Sequence, residues 1–260
     1  MSLDLIAVVG RLIAAGPQDR PPVIGVAGSQ GSGKTTLARK AAEAFGGVQL
    51  SLDDIYLTRG ERADLALDIH PLFATRGPPG THDLGLLERT IIALSNADPD
   101  SETPLPVFDK LTDDRLSEDD WSRFRGRPRV ILIDGWCLGA LPEAADALAT
   151  PLNILERKQD PDAVWRKAVN DAAGARYLAL ADRLDARLYL RAPGFDTVLD
   201  WRCEQEESLR GRPLTPEERH GIADFIQYFE RLTRRMIDGG VRADVIVQLD
   251  RNRLPVTITS

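Results

Sequence analysis

Gly28-Ser29-Gln30-Gly31-Ser32-Gly33-Lys34-Thr35 fits the spacing G-x-x-x-x-G-K-[ST] in full. Glycines at these positions let successive backbone N–H groups turn inward around a polyphosphate, and a helix starting just after them adds partial positive charge. Lys34 is placed to reach the β- and γ-phosphates and to act on the transferred group, and Thr35 to offer its hydroxyl to Mg²⁺. With Thr36, the stretch 28–36 is the candidate nucleotide site. Two acids complete the pattern. The string Val130-Ile131-Leu132-Ile133-Asp134 is an apolar run ending in a carboxylate, which pairs with Thr35 as a candidate metal site. Asp53-Asp54 follows another short apolar run, where it faces the same crevice, and Asp53 is the candidate catalytic base that takes the acceptor's proton.

Such residues need elements to present them. The apolar run 23–27 reads as a buried strand leading into the loop, and 36–45 as a helix closed by Gly46-Gly47. Further strands are expected at 48–52, 130–134, 186–190 and 243–249, separated by helical patterns. These predict an α/β protein: a P-loop NTPase three-layer sandwich with a central five-stranded parallel sheet, helices on both faces and a lid and substrate insertion. One kinase-type domain spans 1–260, with the acceptor-binding insertion at about 56–129 and a lid region at about 194–215. A helix is expected over 2–15, a long one opening at Asp160-Pro161, and another from Thr215 to about 238. The stretch 255–260 reads as a tail.

The insertion carries the remaining polar chemistry. His70-Pro71, Arg76-Gly77-Pro78-Pro79-Gly80 and Thr81-His82-Asp83 combine turn residues with two of the three histidines. Asp109-Lys110 and Asp113-Asp114-Arg115 follow. Only five lysines occur, so the placement of Lys34 and Lys110 is informative. The net charge of -7 argues against a general nucleic-acid or membrane-surface binder. Cys137 and Cys203 fit neither a metal-ligand spacing nor a disulfide framework, in keeping with a reducing cytoplasm. No run approaches the length of a membrane span, and 2–15 lacks the basic start of a signal peptide. No Asn-Lys-x-Asp string is present to select guanine, which separates the chain from GTPase switches.

GSQGSGKTTL, SLDDIYLT, HPLFATRGPPGTHD, PVFDK with DDR, LIDGWCLG, WRCEQE and YFERLTRRM together resemble the D-glycerate 3-kinase family, P-loop kinases related to uridine kinase, phosphoribulokinase and bacterial pantothenate kinase. The likeness runs roughly from 23 to 249. It implies ATP- and Mg²⁺-dependent phosphorylation of D-glycerate to 3-phosphoglycerate, a small-molecule acceptor and a cytoplasmic enzyme. It implies Asp53 as base, an acceptor pocket built from Tyr56, Arg76, His82, Asp83, Asp109, Lys110 and Arg115, and Arg202 in a lid. The third strand ends in Asp134 where such relatives often have Glu. Arg76, His82, Lys110 and Arg115 are the cations available to pair with the acceptor's carboxylate; spacing does not choose among them. Kinases of other hydroxylated acceptors (a nucleoside, pantothenate or a sugar acid) and a nucleotide-binding regulator are the rival readings.

Overall fold

In the computed structural model, which describes residues 4–259, α1 (Leu5–Ala15) is capped by Asp4, whose carboxylate accepts from the backbone N–H of Ile6. Residues 2 and 3 of the expected helix lie outside the described residues. β1 (Val23–Gly28) is buried along its whole length, as a strand covered on both faces must be. It runs into α2 (Lys34–Phe45), which ends at Gly46 in the left-handed conformation. Then come β2 (Val48–Ser51), α3 (Arg59–Asp68) with a capping box between Thr58 and Glu61, and α4 (Leu84–Asn96).

Four short strands follow: β3 (Glu102–Leu105), β4 (Phe108–Asp109), β5 (Asp114–Arg115) and β6 (Ser122–Arg125). They form two small antiparallel pairs, β3 with β6 and β4 with β5. The basic stretch 123–129, which reads as a solvated approach to the next strand, thus begins as a paired strand. β7 (Ile131–Gly135) carries Asp134, and each fully buried Ile or Leu in it contributes roughly 2 kcal/mol of transfer free energy.

The long helix expected to open at Asp160-Pro161 starts three residues on, at Val164, and runs to Asp182 with a π-helical turn in its middle. α5 (Ile154–Gln159) stops before Asp160, whose carboxylate caps α6 (Val164–Ala172) through the N–H groups of Trp165 and Arg166. A π-helical turn, Ala173–Tyr177, joins α6 to α7 (Leu178–Asp182). Next are β8 (Ala186–Arg191) and α8 (Phe195–Arg210). The expected last helix is two, α9 (Pro216–Phe225) and α10 (Gln227–Ile237), meeting at Ile226. β9 (Val245–Leu249) and β10 (Pro255–Thr259) close the chain.

Among the described residues the main sheet has the order β10-β9-β8-β1-β7-β2. Five strands are parallel, as expected. The sixth, β10, pairs antiparallel with β9 and occupies the stretch expected to be a tail. Its alternation of Val256, Ile258 and threonines is a strand pattern that the preceding turn, Asp250 to Arg253, folds back. One face of the sheet is covered by α4, the π-turn, α7 and α10. The other is covered by α1, α2 and α8. A smaller cluster of Leu72, Phe73, Leu155, Trp165 and Val169 fixes the insertion against α6.

Candidate active site

β1 lies in the middle of the sheet, between β7 and β8. The crevice above its carboxyl end is therefore walled on both sides, the usual ligand position in such sheets. Here a cavity of about 640 Å³ is lined by Gln30, Gly31, Gly33, Lys34, Thr35 and Thr36 from the loop. Gly31 has φ +72, and a Cβ there would stand 2.6 Å from the Cβ of Trp201, so only glycine lets the loop rest on α8. The hydroxyls of Ser29 and Ser32 and the side-chain oxygen of Gln30 are buried without a protein partner. Polar groups left unpaired at the bottom of a cavity are what a loop awaiting a ligand presents.

Thr35 Oγ1 donates to Asp134 Oδ1 at 2.8 Å, and Gln49 donates to the other carboxylate oxygen at 2.6 Å. Asp134 is fully buried. Burial raises its pKa, opposed by the charge of Lys34 and the Thr35 hydrogen bond. A hydroxyl and a buried carboxylate beside a phosphate loop are a fitting donor set for Mg²⁺, which takes few protein ligands and draws the rest from phosphates and water. No group of three or more His, Cys, Asp or Glu with metal-binding geometry occurs among the described residues.

Asp53 sits in a short 3₁₀ turn directly after β2. Tyr56 Oη donates to its Oδ1 at 2.6 Å, and Lys110 Nζ stands 3.4 Å from its Oδ2. Burial alone would raise its pKa, but the charges of Lys110 and Lys34 and the Tyr56 hydrogen bond outweigh it and hold the carboxyl at about 2. Asp53 is thus a carboxylate at every pH of interest. Its neighbour Asp54 goes the other way: burial pushes it up to about 6, against the charge of Lys110. The folded protein keeps the Asp54 proton while an unfolded chain releases it near pH 4, so this group lowers stability as pH rises from about 4 to 6. Asp54→Asn is therefore expected to flatten the melting temperature over that window relative to the parent; parallel pH profiles for the two proteins would contradict it.

The segment 70–83 forms the wall beside Asp53. Gly77 has φ +120 and packs so closely on Phe229 that a Cβ would lie 2.5 Å from that ring, while Trp136 Nε1 donates to the Gly77 carbonyl at 2.9 Å. Tyr56 and His82 form an isolated antiparallel bridge, their rings 4.6 Å apart. These contacts bring Arg76 to the cavity with Asp53, Tyr56 and Lys110. The other named acceptor-side residues stand behind them. His82 is buried, 2.6 Å through Nδ1 from the hydroxyl of Tyr177, and burial lowers its pKa to about 4, so it is neutral and carries no charge for a carboxylate. Asp83 caps α4 and accepts from Arg115 at 3.3 Å. Asp109 caps the turn at Leu111 and Thr112. Of the four available cations, then, Arg76 and Lys110 line the cavity.

Opposite, α8 supplies Arg202, Gln205 and Leu209. Arg202 pairs with Glu206 at 3.0 Å and keeps Nη1 buried without a partner, whereas Arg210 and Arg212 are tied to Glu218. Trp136 also lines the cavity, as do Phe225, Phe229, Arg39 and Arg253. Arg39 was findable, since it lies one helical turn from Thr35. Arg253 was not: it comes from the β9–β10 turn, where its Nε donates to the Gly31 carbonyl at 2.6 Å and its guanidinium lies over the Trp201 ring.

No family model matches the chain. Among curated proteins, an uncharacterized kinase of Schizosaccharomyces pombe is 29% identical over 266 residues, covering 93% of this chain and 92% of its own. The chloroplastic D-glycerate 3-kinase of Arabidopsis thaliana is 29% identical over 238 residues, which cover 87% of this chain. The chain is a P-loop kinase and a relative of the D-glycerate 3-kinases. It spans about half the length of the plant enzyme, 50% of which is matched. Among solved structures, a D-glycerate 3-kinase from Cryptococcus neoformans superposes with a TM-score of 0.74 at 24% identity, covering 98% of this kinase and 96% of that chain. The shared fold extends through the insertion as well as the sheet. No helix among the described residues of the kinase is long and apolar enough to cross a membrane.

Proposed function

We propose that the protein transfers the γ-phosphoryl group of ATP to a hydroxyl of D-glycerate, giving 3-phosphoglycerate. The observation that carries this reading is the convergence, in one cavity, of the phosphate loop, an ionised carboxylate at Asp53 and two cations, Arg76 and Lys110. A phosphate-transfer site needs the first two. A small acceptor bearing a carboxylate is what the cations add, and D-glycerate 3-kinases among the relatives favour glycerate.

In this reading the backbone N–H groups of the loop and Lys34 cradle the β- and γ-phosphates. Thr35 and Asp134 hold Mg²⁺, which when bound neutralises charge on the phosphate oxygens. Arg76, with Lys110 at its side, seats the acceptor's carboxylate. That fixes the hydroxyl end toward Asp53, which is oriented by Tyr56. A carboxylate with a pKa of about 2 is a weak base toward a free alcohol. In a loose transition state, however, the alcohol becomes strongly acidic only as its oxygen bonds to phosphorus. Asp53 therefore orients the hydroxyl first and takes its proton late. Arg202, with one unpaired buried nitrogen, is the α8 cation suited to the transferring phosphate. The apolar walls Trp136 and Phe229 keep water from replacing the acceptor.

The test is coupled ADP release with Mg-ATP against D-glycerate, L-glycerate, glycerol, uridine, pantothenate and gluconate, with a blank lacking acceptor. Turnover with D-glycerate and none with glycerol is expected, because glycerol lacks the carboxylate. Equal turnover with both, or turnover with uridine or pantothenate instead, would overturn the assignment.

A further inference from the structure

We propose, resting on the acceptor pocket just described, that Asp113 is a positioning residue: tied to the buried Arg62, it holds the guanidinium of Arg76 as a preformed seat for the carboxylate of a small hydroxy acid. Asp113 does not line the cavity; Arg76 does. One oxygen of the Asp113 carboxylate accepts from Arg76 Nη1 and the other from Arg62 Nη2, the latter at 2.6 Å. Both guanidinium carbons stand 5.5 Å from the centroid of the Phe108 ring.

Arg62 explains why this clasp is rigid. Its side chain is 1% exposed, and it also donates to the carbonyls of Leu57, Ala74 and Asp113. A cation so enclosed and so fully hydrogen-bonded cannot serve a ligand, so its role is structural. Asp113 itself has φ +58, a conformation that non-glycine residues adopt infrequently. Its backbone carbonyl and its carboxylate are both taken by Arg62, which holds it there. An arginine left to itself would lose rotamer freedom on meeting a substrate; one already clasped loses little. The charges point the same way. Two guanidiniums share one carboxylate in this triad, leaving one positive charge, on the cavity side, for a second carboxylate.

The experiment compares the parent, Asp113→Asn, Arg76→Ala and the double variant. Asparagine tolerates positive φ and keeps the side-chain shape, but has neither the charge nor a second accepting atom, so one of the two arginines would face an NH₂ donor. Asp113→Asn is expected to raise KM for D-glycerate about ten-fold, with kcat and the KM for ATP moving less than about two-fold, and to add nothing in the Arg76→Ala background. An equal rise in the KM for ATP, or the same rise with Arg76 already removed, would overturn the proposal. Should Asp113→Asn not fold, Asp113→Gly accepts the backbone without strain and equally removes the carboxylate. A second readout is independent of turnover: the Nη1–H signals of Arg76 by NMR should be resolved and slow to exchange in the parent and lost in the variant. An unchanged signal overturns the clasp. If the parent turns over no D-glycerate, the glycerate reading falls, and the NMR result alone then decides whether Asp113 orders Arg76.

Discussion

Asp53→Asn lowers kcat by about 10²–10⁴ while ATP still binds within a few-fold of the parent. The substitution keeps an oxygen to accept the Tyr56 hydroxyl, so the turn after β2 and the nucleotide loop are left in place. What disappears is the charge, and with it both the partner of Lys110 and the acceptor of the substrate's proton. The loss should therefore fall on kcat in steady-state assays, with nucleotide affinity checked by calorimetry in the absence of acceptor. Because the carboxyl of Asp53 is held near 2, the parent's kcat should also show no acid limb from this group above about pH 4. Turnover of the variant within a few-fold of the parent would remove Asp53 from the chemistry.

Lys34→Ala is expected to cut kcat/KM for ATP by about 10²–10³, the cost of removing one preorganised charge from a phosphoryl-transfer site. Lys34 stands at the start of α2 and lowers the pKa of both Asp53 and Asp134. Without it those carboxylates face one another and the incoming polyphosphate with less opposing charge. Lys34→Arg should recover little, since a planar fork does not replace a compact ammonium enclosed by loop backbone. The measurement is ATP-dependent turnover at saturating acceptor; a change confined to the acceptor's KM would contradict the placement of Lys34 on the phosphates.

How much of this was legible in the residues depends on how local the signal is. The phosphate loop, Asp53 and Asp134 announce themselves because strand, turn and helix propensities coincide with the motif within about ten residues. The parallel core was readable for the same reason. The helix that follows Asp160 was readable from its cap, whereas the π-helical turn within it was not, because no residue type in Ala173–Tyr177 marks one. β10 read as a tail because a short edge strand at that point gains its structure from pairing with β9. In the pocket, residue type marked His82, Asp83, Asp109 and Arg115 as plausible ligands. Only packing shows that they brace the residues that reach the cavity. Arg253 and Phe229 were invisible because they approach from segments far away in the chain.

The position of β1 carries a consequence for how the molecule is made. Its neighbours are distant in sequence: Val23 pairs with Ile131, and Ile24 with Ala186. A ribosome adding about 5–20 residues per second needs roughly ten to thirty seconds to deliver the second neighbour after β1 has emerged. Until β7 arrives the apolar strand and its glycine-rich turn have no neighbour to pair with, and until β8 arrives one edge of β1 stays open, so they depend on transient burial or on chaperones for protection. The phosphate loop is thus synthesised well before the two strands that flank it and takes its working shape only after both have arrived.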